Sequence, residues 1–323
     1  MMMRKLNHWL PLACALVLAG LGPMLSPYIS DLVVKVMILS IFALSLELLV
    51  GMTGLVSLGH AAFYGIGAYA TVLGSGAEGG SIAWLLPLAM GSAALYALVV
   101  GALSLRTRGV YFIMVTLAFA QMAYFIFHDT KFGGGSDGIY LYVRPSLGAL
   151  DMENRRVQFY AVLAALAGTY GLLALIRRSR FGAALAGIRV NEQRMRAAGF
   201  AVYGYKLAAF VIAGALAGLA GFLVAARDGV VNPELLAWHN SGEVLLMIIL
   251  GGLGHLRGAV IGAVAFTVLK EVLGTHALVG PLADHWQLTL GIAIIVFVAL
   301  LPKGLIGLAA RLSPSPLPKA VAP

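Results

Sequence analysis

Apolar stretches long enough to cross a bilayer recur along nearly the whole chain, and in hydrocarbon such stretches satisfy their backbone as helices. A helix needs about 20 apolar residues to span it, and the runs Trp9–Pro27, Leu32–Val50, Leu58–Gly74, Ile82–Leu105, Val110–Phe127, Val157–Ile176, Leu207–Ala226 and Trp286–Leu301 approach that length. A further stretch, Val244–Val272, carries Gly251-Gly252-Leu253-Gly254-His255 and reads as two shorter helical pieces. Only 11% of the residues are charged, whereas soluble domains carry about 25%. The expected fold is all-α: a polytopic transmembrane helical bundle of about eight to ten spans, some of them broken.

The formal net charge of +9 would point a soluble protein toward nucleic acid. In a multispanning protein the excess of Lys and Arg marks the cytoplasmic loops instead, so no nucleic-acid partner is expected. With the N-terminus inside, fifteen basic residues fall on cytoplasmic segments, among them Arg106, Arg108, seven from Arg177 to Lys206, and Arg257. Glu192 is the single acid beside them. Five bases and ten acids, including Asp129, Asp137, Asp151, Glu153, Asp228 and Glu234, fall outside. Both termini are therefore expected in the cytoplasm, with an even number of crossings.

The lone cysteine, Cys14, excludes an internal disulfide, and the apolar run before it is too short for a lipoprotein box. Met1–Pro27 has Arg4 and Lys5 ahead of an apolar core but no small-x-small cleavage site, so it is expected to stay as an uncleaved first helix. Residues 1–312 read as one transmembrane domain, and the Pro-rich tail 313–323 as a disordered end.

Glycine breaks the apolar pattern in Leu49–Ala70, which is apolar enough for lipid yet interrupted by Gly51, Gly54, Gly59 and His60. Such a segment belongs beside a pathway. Shifted by 195 residues, Leu58-Gly59-His60 matches Leu253-Gly254-His255, and Ile66-Gly67-Ala68 matches Ile261-Gly262-Ala263. Transporters are often built from repeats that set discontinuous helices around a central site, and Gly- and Ala-rich helices also produce such matches by chance. Gly254, Gly258 and Gly262, like Gly214, Gly218 and Gly221, sit at the close spacing that lets helix backbones approach in lipid.

Chemistry-bearing motifs are scarce. The chain has no Gly-x-x-x-x-Gly-Lys-Ser/Thr loop, no His-Glu-x-x-His, no cysteine cluster and no paired carboxylates within one span. It is not expected to be an enzyme or to hold a cofactor or metal, and any ATP must be hydrolysed by a partner. Ionisable residues inside spans are costly to bury and should face a partner, a cavity or the interface. These are Lys35, Glu47, His60, Lys270 and Glu271, with His255 at the second break. Lys35 and Lys270 lie near span ends, where they can snorkel. In the loop Arg177–Lys206, Phe181, Leu185, Ile188 and Met195 share one helical stripe with Glu192. That is a short amphipathic cytoplasmic helix, suited to the anionic lipid of the inner leaflet or to docking a cytoplasmic protein.

Several stretches together resemble the permease family of branched-chain amino acid ABC importers. They are Gly54-Leu55-Val56-Ser57-Leu58-Gly59-His60-Ala61-Ala62-Phe63, Arg108-Gly109-Val110-Tyr111-Phe112 with Thr116-Leu117-Ala118-Phe119, and Gly134-Gly135-Ser136-Asp137-Gly138. Ser179-Arg180-Phe181-Gly182, Ile188-Arg189-Val190-Asn191-Glu192, and Ser241-Gly242-Glu243 leading to Gly251-Gly252-Leu253-Gly254 continue the series. The resemblance implies a type II importer-like permease of the bacterial inner membrane. It implies a second homologous permease, two cytoplasmic ATP-binding subunits carrying ATP and Mg, and a periplasmic solute-binding protein. It also implies that 179–199 is the coupling helix on the ATPase, acting through Phe181, Gly182, Leu185, Ile188, Arg189, Glu192, Met195 and Gly199.

Ser57, His60, Thr116 and Gln121 are expected to line the pathway, with helix breaks at Gly54, Gly59, Gly251, Gly252 and Gly254. Some residues depart from the family pattern. Glu47 stands where an uncharged polar residue is usual, Val56 where Gln is common, and Gly133 where Thr precedes the glycine pair; the literal Glu-Ala-Ala is missing. The solute stays open, since relatives of this type carry leucine, isoleucine and valine but also urea, other amides and aromatic acids. An ion-coupled secondary transporter and a structural or sensory subunit are the other classes, and neither requires the basic amphipathic loop.

Overall fold

The computed structural model describes residues 17–20, 22, 26–76, 79–148, 150–275, 280, 285–301 and 304–307. Helix α1 (Pro27–Glu47) starts under Ser26, whose Oγ accepts from Ile29 N at 3.5 Å, with Pro27 in the first turn. A polar cap and a proline without N–H both suit a helix start. The helix runs on as a π-helical segment, Leu48–Thr53, and stops at Gly54 with φ 75°, a left-handed conformation that glycine enters without a Cβ clash.

The chain continues through α2 (His60–Ser75), α3 (Ile82–Ser104), α4 (Val110–Asp129) and α5 (Arg155–Arg178). Two short helices follow, α6 (Arg180–Val190) and α7 (Glu192–Ala197), and then α8 (Val202–Asp228), α9 (Trp238–Gly251), α10 (Leu256–Gly274) and α11 (Trp286–Leu300). Among the described residues, six helical stretches are long and apolar enough to cross a membrane. The α9–α10 pair, bent by 113° at its break, makes a seventh if counted as one span. Most of the run Trp9–Pro27 lies outside the described residues. The run Leu58–Gly74 gives α2, only 16 residues or about 24 Å long, because the glycine break delays its start to His60.

Helices α1 and α8 form the centre, with 78% and 67% of their most apolar windows buried, against 22% for α4 and 28% for α5. Small residues set the spacing there. A Cβ added at Gly67 of α2 would lie 2.6 Å from Gly218 Cα on α8, and one at Gly218 would lie 2.6 Å from Ala93 Cβ on α3. With lipid as apolar as the helices, this close approach is what holds them together. Gly251, Gly258 and Gly262 play the same part inside the α9–α10 hairpin, where added Cβ atoms would overlap main-chain oxygens of the opposite arm.

Cross-bundle contacts sort the two ends of the bundle. At the basic end, Arg108, Arg196 and Lys206 gather on Glu192. At the acidic end, Arg155 meets Asp31 and Tyr124 meets Glu234. There β1 (Ile139–Tyr140) pairs antiparallel with Val230–Val231, Ile139 opposite Val231, and β2 (Ser146–Leu147) pairs with β3 (Leu150–Asp151).

The single helix expected across 179–199 is two. Asn191 is extended, φ −156° and ψ 99°, and its Oδ1 accepts from Arg194 N at 2.9 Å to start α7. An Asn side chain competes with helical backbone bonds and favours a cap. The tail 313–323 and Cys14 lie outside the described residues.

Candidate functional site

The two helix breaks meet at the basic end. Glu47, the last residue of α1, is 1% exposed, and its Oε1 accepts from Gly254 N at 2.7 Å. Gly54 and Gly254 both hold positive φ, 75° and 85°, so neither turn tolerates a side chain without strain. Gly252, φ 115°, closes α9, and Gly59 sits so close to the Thr116 carbonyl that a Cβ there would collide with it. The other carboxylate oxygen, Glu47 Oε2, is buried with no hydrogen-bond partner among the described residues. Arg189, at the end of α6, completes the junction by donating to Gly51 O. Hydrogen bonds to a charged group such as Arg189 contribute about 1.5–3 kcal/mol, and together with the Glu47 to Gly254 bond they tie α6, the π-helical segment and the second break into one junction.

Helices α6 and α7 form a platform on this end. Leu185 and Ile188 are 0% and 3% exposed, so the apolar stripe turns toward this chain's own helices. Phe181 stacks on Tyr205 with ring centroids 5.6 Å apart. Gly182 packs under Arg177, Gly187 lies under Met195, and Gly199, φ 86°, makes the turn after α7. Glu192 holds the platform to α8 and to the start of α4, with Lys206 at 2.7 Å, Arg196 at 2.5 Å and Arg108 at 4.0 Å. Burial pushes the Glu192 carboxyl up, but Lys206, Arg196 and Arg108 outweigh it and hold the group below the ordinary carboxylate value. The outward surface is Val190, 85% exposed, with exposed Gln193, Arg194, Arg196 and Phe200.

Ser57, His60 and Thr116 are fully buried around the first break. Ser57 Oγ accepts from Gly59 N at 3.2 Å, and Thr116 Oγ1 donates to Ile113 O at 2.9 Å. His60 Nε2 lies 2.8 Å from Ser45 Oγ, its ring stacked on Phe42 and edge-on to Phe63. Gln121 is half-buried on α4. None of the four borders the cavity of about 300 Å³ that opens at the acidic end among α1, α8, α9 and α10. That cavity carries Lys35, Arg227, Asp228, Glu243, Lys270 and Glu271. The sequence places Lys35 and Lys270 near span ends and Glu271 inside a span, and it shows Glu243 only as part of Ser241-Gly242-Glu243; no spacing points to its 3.0 Å bond to Lys270, which forms because the α9–α10 hairpin folds back. Among the described residues no group of three or more His, Cys, Asp or Glu is placed to hold a metal ion.

Fold and junction together define a class: a multi-pass helical membrane permease built around discontinuous helices. A family model described as "Branched-chain amino acid transport system / permease component" matches residues 28–300, and the chain belongs to that family. The high-affinity branched-chain amino acid transport system permease protein LivM of Escherichia coli is 31% identical over 320 residues, covering 91% of this chain and 74% of its own. The protein of the same description from Salmonella typhimurium is 31% identical over 300 residues, covering 85% and 69%. No solved structure is a significant match. Membership places this chain in the membrane pathway of an ABC importer.

Proposed function

We propose that this chain is the inner-membrane permease subunit of a binding-protein-dependent importer of branched-chain amino acids, with its basic end in the cytoplasm. The relatives' descriptions support the solute class, and the sorting of Lys and Arg to one end supports the orientation. The chain pairs with a second homologous permease. Two ATP-binding subunits, carrying ATP and Mg, sit under the platform of α6 and α7, and a loaded binding protein docks on the acidic periplasmic loops.

The observation that carries this reading is the junction itself, in which Arg189 bonds Gly51 and Glu47 bonds Gly254. A push on Val190 and Arg194 arrives where two helices are already interrupted, the places where a helical bundle hinges at least cost. Closure of the ATP-bound partners shifts α6 and α7, the 54–59 and 252–255 breaks rearrange, and the pathway opens to the periplasm. Hydrolysis resets it, and this chain supplies geometry while its partners supply energy. The test is uptake of radiolabelled leucine by the complete complex in proteoliposomes. Accumulation that needs both ATP and the binding protein is expected; accumulation by this chain alone on an ion gradient, or transport of urea but not leucine, overturns the proposal.

A further inference from the structure

The cavity at the acidic end has no part in the coupling junction, and its lining is specific. Its volume of about 300 Å³ falls at the lower edge of the roughly 300–1,000 Å³ range of small-molecule sites. The floor is dry: Ile38, Phe42, Val244, Met247 and Phe266 are each 2% exposed or less. The rim carries both signs of charge. Lys270 donates to Glu243 at 3.0 Å, Arg227 pairs with Asp228 at 2.7 Å, and Tyr28 donates to Glu271.

Lys35 differs from the other rim cations. It is exposed to the cavity mouth and has no hydrogen bond or ion pair among the described residues; Asp228 is the carboxylate that feels its charge. Near the span end its ammonium reaches the cavity mouth with all three donors uncommitted, so an anion entering from the acidic end finds a cation that no carboxylate bonds directly. Beside it Asp228 and Glu243, each bonded to a single cation, keep free lone pairs for a donor.

We infer that this cavity is a solute site within the subunit, taking a small zwitterion whose carboxylate meets Lys35 and whose ammonium lies toward Asp228 and Glu243. Its apolar side chain rests on Phe42, Met247 and Phe266. This is the chemistry of an α-amino acid with an uncharged hydrocarbon side chain. The inference rests on the transport reading and adds a location: solute released at the acidic end is held inside this chain, above the helix breaks, before it passes inward.

The test uses the complete complex in proteoliposomes with Cys14→Ser in this chain, which leaves it without other cysteines. Leu39→Cys then puts one thiol on the cavity wall. Millimolar leucine is expected to slow its labelling by a water-soluble maleimide, and millimolar glutamate is not, because the dry floor rejects a second carboxylate. In parallel, Lys35→Gln is expected to lower leucine uptake about tenfold or more and to abolish the protection, and Lys35→Arg to keep both. Both variants should copurify with the ATP-binding subunits in native amount, which shows that the complex is assembled. Normal uptake with Lys35→Gln, or equal protection by leucine and glutamate, overturns the site. A wild-type complex that fails to take up leucine overturns the transport reading instead, and the maleimide comparison still decides the cavity by itself.

Discussion

Glu47 is the residue whose loss should separate ATP hydrolysis from transport. Its Oε1 accepts the Gly254 N–H across 207 positions of sequence. Glu47→Leu keeps the apolar volume in the core but leaves that donor without an acceptor in a partly buried turn. An unsatisfied buried donor costs about 1–3 kcal/mol. The arrangement in which both breaks are joined should therefore weaken by roughly 5- to 150-fold relative to one in which Gly254 finds water. Glu47→Gln keeps a side-chain oxygen that can accept the same N–H. The assay is leucine moved per ATP hydrolysed by the complex in proteoliposomes. Glu47→Leu should hydrolyse ATP at a near-normal rate and move about tenfold less leucine per ATP, while Glu47→Gln stays within about twofold of the native chain. An assembled Glu47→Leu complex with the native ratio would refute a mechanical role for this bond.

Other perturbations separate packing, docking and pairing. Gly67→Leu should lower the melting temperature in detergent by several degrees, because even its Cβ would sit 2.6 Å from Gly218 Cα; Gly91→Ala, which faces open space, should not. Val190→Asp should release the ATP-binding subunits during purification while this chain stays folded, since Val190 is 85% exposed. Leu185→Asp buries a charge in the core and should unfold the platform, read as proteolysis between Arg178 and Lys206. Glu192→Gln should reduce thermal stability at neutral pH. Because the folded-state carboxyl of Glu192 titrates below its ordinary value, its contribution is present above about pH 4.3 and lost as pH falls through the lower folded value. The melting-temperature gap between the two proteins should therefore close in acid, and a gap that widens there would contradict the pairing.

The spans were legible because bilayer thickness fixes how long an apolar run must be, and α3, α4, α5 and α8 fall on the runs that meet it. The breaks were legible at Gly54 and Gly254 because only glycine enters the left-handed region freely. What the amphipathic stripe of Leu185 and Ile188 faces was not legible, since the same periodicity serves a lipid surface, a partner or the chain's own core. Asn191 is a weak signal for a break inside one helical pattern, and it took the observed cap to reveal α6 and α7 as separate. Glu47 stood out by its type, but its partner is a backbone amide in a distant turn, and no side-chain pattern announces an amide. His60, expected to line the pathway, is packed between Phe42 and Phe63 against Ser45. Burial of a polar residue by neighbours from one or two helices leaves no trace in spacing.

If motion enters through α6 and α7 and leaves through the helix breaks, those two regions must travel together. Pulsed electron paramagnetic resonance on the complete complex measures this directly, with Cys14→Ser and nitroxides at exposed positions Val190, Leu253 and Leu98. Between the nucleotide-free and ATP-trapped states the Val190 to Leu253 distance should hold constant while the Leu98 to Leu253 distance shifts. A Val190 to Leu253 distance that changes while Leu98 to Leu253 stays fixed would show the platform sliding past a rigid bundle, and would contradict coupling through Arg189 and Glu47.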